Sequence, residues 1–345
     1  MKTQSLFLPS EWHTQSGVML TWPHGDTDWS EYLDEAETCF TEIACAIASR
    51  ETLVVVTPDP AHVKTVLAKK LDVSQVRFVE APTNDTWARD HGAITIIENG
   101  KPVICDFMFN GWGLKFASDK DNLITRVMHN EGVFSSACSY RNRLNFILEG
   151  GSIESNGKGT LLTTSECLLS PNRNGEWDRA RIEKYLIENF GLKKVVWIDH
   201  GYLAGDDTDS HIDTLARLCP DDTILYVKCD DTSDEHYDAL ARMEQDLAAS
   251  VTADGKPFTL VPLPMAEHTY FDGDRLPATY ANFLIINGAV LVPSYNSPVK
   301  DEEARRAVAK VFPDREVILI DCSVLIRQHG SLHCVTMQFP DGVIE

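Results

Sequence analysis

A chain of 345 residues holds enough material for one large domain or two ordinary ones, each with a substantial core. Its formal net charge of −21, from 52 Asp and Glu against 31 Lys and Arg, argues against nucleic acid or an anionic membrane surface as partner. The same field suits a cationic small molecule, although acidity also serves solubility alone. Nine cysteines without a CxxC or CxxH pair speak against a disulfide framework and a structural zinc module, and suit reduced thiols. Met1 to Pro9 lacks the apolar core of a secretory signal, and no run approaches the ~18 apolar residues that span a bilayer. A soluble cytoplasmic protein is expected.

In chain order, Gly17 to Trp22 reads as a strand closed by Pro23. Ser30 to Ser49 carries a helical period with Ser30 as its N-cap, and Thr52 to Thr57 is a buried strand ended by Pro58. A shorter helix from Pro60 to Lys70 and a strand from Val76 to Val79 follow. From Ala93 a hairpin turns at Asn99-Gly100 and runs to Phe109, then a helix covers Asp121 to Asn130 and a strand Leu144 to Leu148. The same order returns three times. Gly151 to Thr164 is a hairpin, Glu176 to Asn189 a helix and Lys194 to Ile198 a strand. His211 to Leu218 pairs with Thr223 to Cys229, before a helix from Ser233 to Ala249 and a strand from Phe258 to Leu263. Tyr280 to Ile286 turns at Asn287-Gly288 into Ala289 to Pro293, before a helix from Lys300 to Phe312 and a strand from Glu316 to Ile320.

Two strands are left over, His333 to Phe339 at the end and Gly17 to Trp22 at the start. Pairing them supplies the missing hairpin of a fifth ββαβ unit and closes the chain into a ring by its own ends, which also removes exposed sheet edges. The alternative is an ordinary α/β sandwich of two domains. No linker-like composition interrupts the series, so a single domain over 1–345 is the preferred organisation.

Each unit places polar groups at one equivalent point: Asn84 to Gly92, Glu149-Gly150-Gly151, Asp206 to Asp213, Thr279 to Asn282, and His333-Cys334. Ring symmetry would aim them at a common axis. There Cys334 offers a nucleophile, His211 a proton-transfer partner, and Asp90, Glu149 and Asp213 acceptor-only carboxylates. Carboxylates that converge on one cleft repel unless a cation separates them, and a planar guanidinium fits two of them in bidentate fashion. Plainer readings stay open for each residue. Cys334 can be an inert core thiol, Asp90 an ion-pair partner of Arg89, and Glu149 a turn cap. His211 with Asp206, Asp207, Asp209 and Asp213 can ligate a metal, although the run lacks the Gly and Glu of an EF-hand loop.

The motifs Asn84-Asp85-Thr86-Trp87-Ala88-Arg89-Asp90-His91-Gly92, Glu149-Gly150-Gly151, His211-Ile212-Asp213 and Gly330-Ser331-Leu332-His333-Cys334 resemble the guanidine-modifying superfamily, as do Pro9-Ser10-Glu11-Trp12 and Thr21-Trp22-Pro23-His24. Within it they are most similar to the agmatine deiminase and bacterial peptidylarginine deiminase group. The resemblance implies a five-bladed α/β-propeller (pentein) fold. It further implies Cys334 as nucleophile, His211 as general acid and base, Asp90 and Asp213 on the guanidinium nitrogens, and Glu149 orienting His211. Asn282 would line the pocket. Trp22, Trp87 and Trp112 could cover an aliphatic spacer, but a core role for each is the preferred reading. His329 before Gly330, and Gly92-Ala93 after His91, depart from the commoner pattern and bear on substrate identity. The implied reaction is hydrolytic deimination of agmatine to N-carbamoylputrescine and ammonia through a covalent amidino-cysteine, in polyamine metabolism, with no cofactor or metal. A peptidylarginine or free arginine deiminase, a non-catalytic pentein binding protein and a zinc hydrolase are the alternatives. A homodimer is left open.

Overall fold

The computed structural model describes residues 6–345, which form a mixed α/β fold. Five sheets share one plan, in which an antiparallel pair is extended by a parallel strand reached through a helix. Ile94–Glu98, Lys101–Met108 and Ser139–Ile147 make one such unit. Ile153–Ser155, Thr160–Thr164 and Lys194–Ile198 make the next, and Ala216–Cys219, Thr223–Lys228 and Thr259–Pro264 the third. Leu284–Ile286, Ala289–Ser294 and Glu316–Asp321 make the fourth.

The fifth sheet is assembled from both ends of the chain. Thr336–Pro340 pairs antiparallel with Gln15–Thr21, in the register Thr336↔Leu20 and Gln338↔Val18, and Thr52–Thr57 and Val76–Glu80 continue it in parallel. The terminal strands therefore complete a unit, as their leftover positions suggested. Helices Leu33–Ala48, Ile124–Asn130, Arg179–Phe190, Tyr237–Ala249 and Pro298–Val311 supply the crossovers. Their apolar stripes go inward: Phe40, Ile43 and Ile47 of the first helix are fully buried, each contributing ~1.5–3 kcal/mol on burial. The turns follow their chemistry too, since Asn99 (φ 52°) and Gly100 (φ 79°) adopt the left-handed pair that joins two strands tightly.

Several expectations need correction. Ser30 does not cap the first helix. It opens a short 3₁₀ turn, Ser30–Tyr32, and neither that turn nor the helix from Leu33 has a side-chain cap. A hairpin of Tyr270–Phe271 with Asp274–Arg275 is additional. Three of the polar points, at His211, Tyr280 and His333, read in the sequence as the starts of strands and are turns instead, Ile212–Thr214, Tyr280-Ala281 and Leu332 to Val335. With the helical turns Ala88–His91 and Gly150–Ser152, each lies just before the first strand of its sheet. Cys334 thus precedes the strand that begins at Thr336. Among the described residues, no helix is long and apolar enough to cross a membrane.

Candidate active site

The five turns are tied to one another in a closed series. Arg89 N donates to Cys334 O (3.1 Å), Gly151 N to Asp90 Oδ1 (3.0 Å), Asn282 Nδ2 to Asp213 O (3.3 Å) and His333 N to Asn282 O (3.1 Å). His211 Nε2 lies 3.1 Å from Glu149 Oε2 and closes the remaining gap. Gly151 sits where three of the side chains meet. A Cβ there would lie 2.7 Å from His211 Nδ1, 2.9 Å from Asp90 Oδ1 and 3.0 Å from Asp213 Oδ2, so only glycine permits the convergence.

Cys334 is 5% exposed, and its Sγ lies 3.4 Å from Asn282 Oδ1 and 3.9 Å from Asp213 Oδ2. Burial, then the charges of Asp213 and Asp90, push its thiol well above the ordinary range. Asn282 Oδ1 also accepts from the backbone N–H groups of His333 (2.9 Å) and Cys334 (3.3 Å), so this amide, fully buried, holds the turn that carries the sulfur.

Asp90 accepts from Trp112 Nε1 (2.9 Å) at the oxygen not bonded to Gly151, and burial raises its pKa to about 6. His211 Nδ1 lies 3.6 Å from Asp90 Oδ1 and has no hydrogen-bond partner. Burial disfavours the His211 imidazolium, but Asp90, Cys167 and Glu149 outweigh it and hold the ring well above its usual range. Asp213 Oδ2 meets His333 Nδ1 at 2.7 Å, whereas its Oδ1 is buried without a partner. Burial opposes the Asp213 charge, yet His333, His211 and Arg217 lower its pKa.

Glu149 has both oxygens engaged, by Arg173 Nε at 2.8 and 3.0 Å and by His211, and none of its surface is exposed. Arg173 offsets the burial cost and keeps this carboxyl below its ordinary pKa. The geometry therefore fits Glu149 as support for His211 and leaves it no atom for a ligand. Arg173 continues to Asp209 Oδ2 (2.5 Å) and Thr208 O (2.8 Å).

Cys334 and Asp90 line a cleft of about 160 Å³. Trp87, Trp112 and Phe116 make its aromatic walls, and Asp28, Asp85 and Asp207 bring carboxylates to it beside His329. Among the described lining residues none is lysine or arginine. Gly330 makes room for the wall, since a Cβ there would fall 2.0 Å from the Trp87 ring. Trp112 holds φ 55°, a conformation a bulky residue rarely takes, and Asn110 Oδ1 secures the turn by accepting from Gly113 N (3.0 Å).

Trp87 and Trp112 thus face the cleft. Trp22 does not; it is core, with its Nε1 on Glu37 (2.9 Å). The plainer readings of the carboxylates fail. Arg89 turns away from Asp90 to Glu11 (3.2 Å) and Gln338, and Asp206, Asp209 and Asp213 go to separate partners: Thr208 and Ser210, Arg173 and Lys115, and His333. Among the described residues two triplets have donor atoms close enough for a metal, Glu149–Cys167–His211 and Glu11–Glu154–His333, but Arg173 and Arg217 already pair with their carboxylates. Sequence reading missed Arg173, the partner of Glu149, and the hydrogen bond from Trp112 to Asp90. Both residues lie in connections whose pattern carries no period.

The model of the Porphyromonas-type peptidyl-arginine deiminase family matches residues 7–340. The chain belongs to this family. Its similarity reaches a candidate arginine deiminase structure from Porphyromonas gingivalis, at 56% identity and TM-score 0.94 with 99% of each chain covered. A substrate-bound agmatine deiminase variant from C. jejuni is 38% identical, with TM-score 0.91 over 98% of this chain and 97% of that one. The agmatine deiminase of Stutzerimonas stutzeri is 31% identical over 97% of this chain and 95% of its own. The family and its relatives thus share action on guanidines but differ in the guanidine named.

Proposed function

We propose that this peptidyl-arginine deiminase family member is an agmatine deiminase, hydrolysing agmatine to N-carbamoylputrescine and ammonia. The observation that carries this reading is the cleft itself: a thiol and Asp90 line it, with only carboxylates among the charged groups of the described lining. Agmatine is a dication whose far end is an amine. Arginine would present a carboxylate to Asp28, Asp85 and Asp207 instead. The agmatine deiminases among the relatives support the same choice.

In this reading the guanidinium lies between Asp90 and the unpartnered Oδ1 of Asp213, and its charge offsets the two carboxylates that keep Cys334 protonated. The thiolate attacks the guanidinium carbon. His211, held protonated by Asp90 and Glu149, gives its proton to the departing ammonia and leaves an amidino-thioether on Cys334. The neutral ring then takes a proton from water, whose oxygen adds to the same carbon. Collapse restores the thiol and releases the ureido product. Glu149 and Asn282 act by positioning, the former on His211 and the latter on the cysteine turn, while Trp87 and Trp112 flank the spacer. No step calls for a metal or cofactor.

The closed series of turn-to-turn hydrogen bonds and the five sheets of one plan support a five-bladed α/β-propeller formed by one domain over the chain. Nine unpaired cysteines suit the cytoplasm, and the product places the reaction on a route from agmatine towards putrescine. The test is kcat/KM for agmatine, free arginine and a peptidyl arginine under one set of conditions. Agmatine should exceed the others by ~10²-fold or more, as expected when a site leaves charges unpaired on the wrong substrate. Equal or better turnover of either arginine form would overturn the assignment.

A further inference from the structure

Next to Cys334 a buried ion cluster runs from Asp213 to Glu11, which lines a different cavity from the cleft, and beyond Asp213 it has no part in the scheme above. His333 stands between two carboxylates, with Nδ1 2.7 Å from Asp213 Oδ2 and Nε2 2.8 Å from Glu11 Oε1. Arg217 bridges Glu11 and Glu154, its Nη2 lies 3.1 Å from His333 Nε2, and Arg89 Nη1 reaches Glu11 at 3.2 Å.

The geometry sets the proton count. A ring nitrogen and a carboxylate oxygen at 2.7–2.8 Å repel unless a hydrogen lies between them, so Asp213, His333 and Glu11 together hold two protons. That gives the triad a charge of −1. Arg89 and Arg217 on Glu11 offset that charge, as a buried cluster requires, while burial raises the pKa of Glu154, the other partner of Arg217, to about 8. Burial opposes the charge on Glu11, but His333, Arg217 and Arg89 outweigh it and hold this carboxyl well below the ordinary range, so a proton that reaches Glu11 is readily passed on.

The two ends of the triad differ in access. The side chains of Asp213 and His333 are 0% exposed, whereas that of Glu11 is 16% exposed and lines a separate cavity of about 90 Å³ with Gln15, Thr95 and Arg89. That space is roomy enough for several waters. Gln15 Oε1 and Thr95 Oγ1, both buried without protein partners, are groups such waters would satisfy.

We propose that Asp213, His333 and Glu11 form a proton exit for the Cys334 thiol, leading away from the occupied cleft to the cavity beside Glu11. The need follows from the reading above, on which the proposal rests. His211 must already be protonated to release ammonia, so it cannot take the thiol proton, and the substrate covers the cleft side. The S–H bond breaks with its electron pair left on sulfur, and the proton goes to Asp213. The triad then holds three protons, the Nε2 hydrogen of His333 passes to Glu11, and Glu11 gives one proton to cavity water. The triad returns to two protons. His333 and Glu11 are thus relay residues that never touch substrate.

The test uses the full-length enzyme with Glu11→Gln, Glu11→Asp and His333→Gln, plus a proton inventory of the wild type in mixed H₂O and D₂O. Glu11→Gln should lower kcat by ~10²-fold with KM for agmatine within about twofold. Glu11→Asp should recover most of that loss, and the wild-type single-turnover inventory should bow as several protons move together. A linear inventory, or Glu11→Gln with unchanged kcat and pH profile, overturns the relay. So does an equal loss in all three variants with no recovery by Glu11→Asp, which marks a scaffold. The inventory needs no variant and decides the matter if a substitution impairs folding. Failure of the underlying reading looks different: alkylation of Cys334 by iodoacetamide would then leave wild-type turnover intact.

Discussion

Replacing Arg173 with methionine isolates the support behind His211. Arg173 and Glu149 both have side chains with 0% exposure, and Nε contacts the two carboxylate oxygens at 2.8 and 3.0 Å. Removing one partner of such a pair leaves an uncompensated buried charge and costs about 3–5 kcal/mol. At ~2–4 °C per kcal/mol for domains of 150–250 residues, and about 1.4 °C for a chain of this length, Tm should fall by roughly 4–7 °C. The deficit should depend on pH with a definite sign. Wild-type Glu149 has a lowered pKa, so its contribution is fully present above the ordinary carboxylate range and is lost as pH falls through the lowered value. In the variant, burial without Arg173 removes that contribution, so the gap is widest at neutral pH and narrows in acid. Activity should fall as well, by ~10²-fold in kcat, because a protonated Glu149 no longer stabilises the His211 imidazolium. Thermal melts at neutral and acid pH with steady-state kinetics provide the readout. A variant that melts with the wild type at neutral pH, or whose deficit grows in acid, would refute the reasoning.

Cys334→Ala should release no ammonia from agmatine, while its melting temperature stays near that of the wild type; residual turnover would remove the thiol from the chemistry. The kcat/KM profile should fall as pH drops through about 6, where Asp90 becomes protonated and loses its hold on the guanidinium. Trp112→Phe removes the 2.9 Å hydrogen bond that favours the Asp90 carboxylate, so this acid limb should move to higher pH, and an unmoved limb would contradict the assignment. Gly330→Ala would drive a methyl to 2.0 Å from the Trp87 ring, and kcat/KM should drop by ~10²-fold as the wall and the cysteine turn shift. Kinetics at wild-type level in that variant would show that the wall yields freely.

Much of the fold was legible because local chemistry and long-range order agree. Asn99-Gly100 and Asn287-Gly288 mark hairpins at the same point of their units, and Thr52–Thr57 and Lys194–Ile198 fall at the expected positions. The leftover terminal strands pair because no other partner completes their unit. The heads of three units were misjudged as strands since Ile212, Leu215, Tyr280 and Val335 look apolar and extended, while their turns arise from contacts between units. Arg89 and Asp90 are adjacent in sequence but point oppositely on one helical turn, one to Glu11 and the other to Trp112, so the local ion pair left open as the plainer reading does not form. Arg173 reaches Glu149 from a loop with no period, and only folding makes that pair visible. His333 was read as part of the nucleophile motif, and its place between two carboxylates depends on Glu11, 322 residues away.

The central claim is that Cys334 carries the amidino group of agmatine between two half-reactions. Rapid quenching of enzyme mixed with excess agmatine, followed by intact-mass and peptide mapping, tests it directly. A transient adduct of agmatine less ammonia is expected, confined to the peptide containing Cys334 and absent from Cys334→Ala. Turnover to the ureido product with Cys334 unmodified at every time point, or an adduct on another residue, would contradict it.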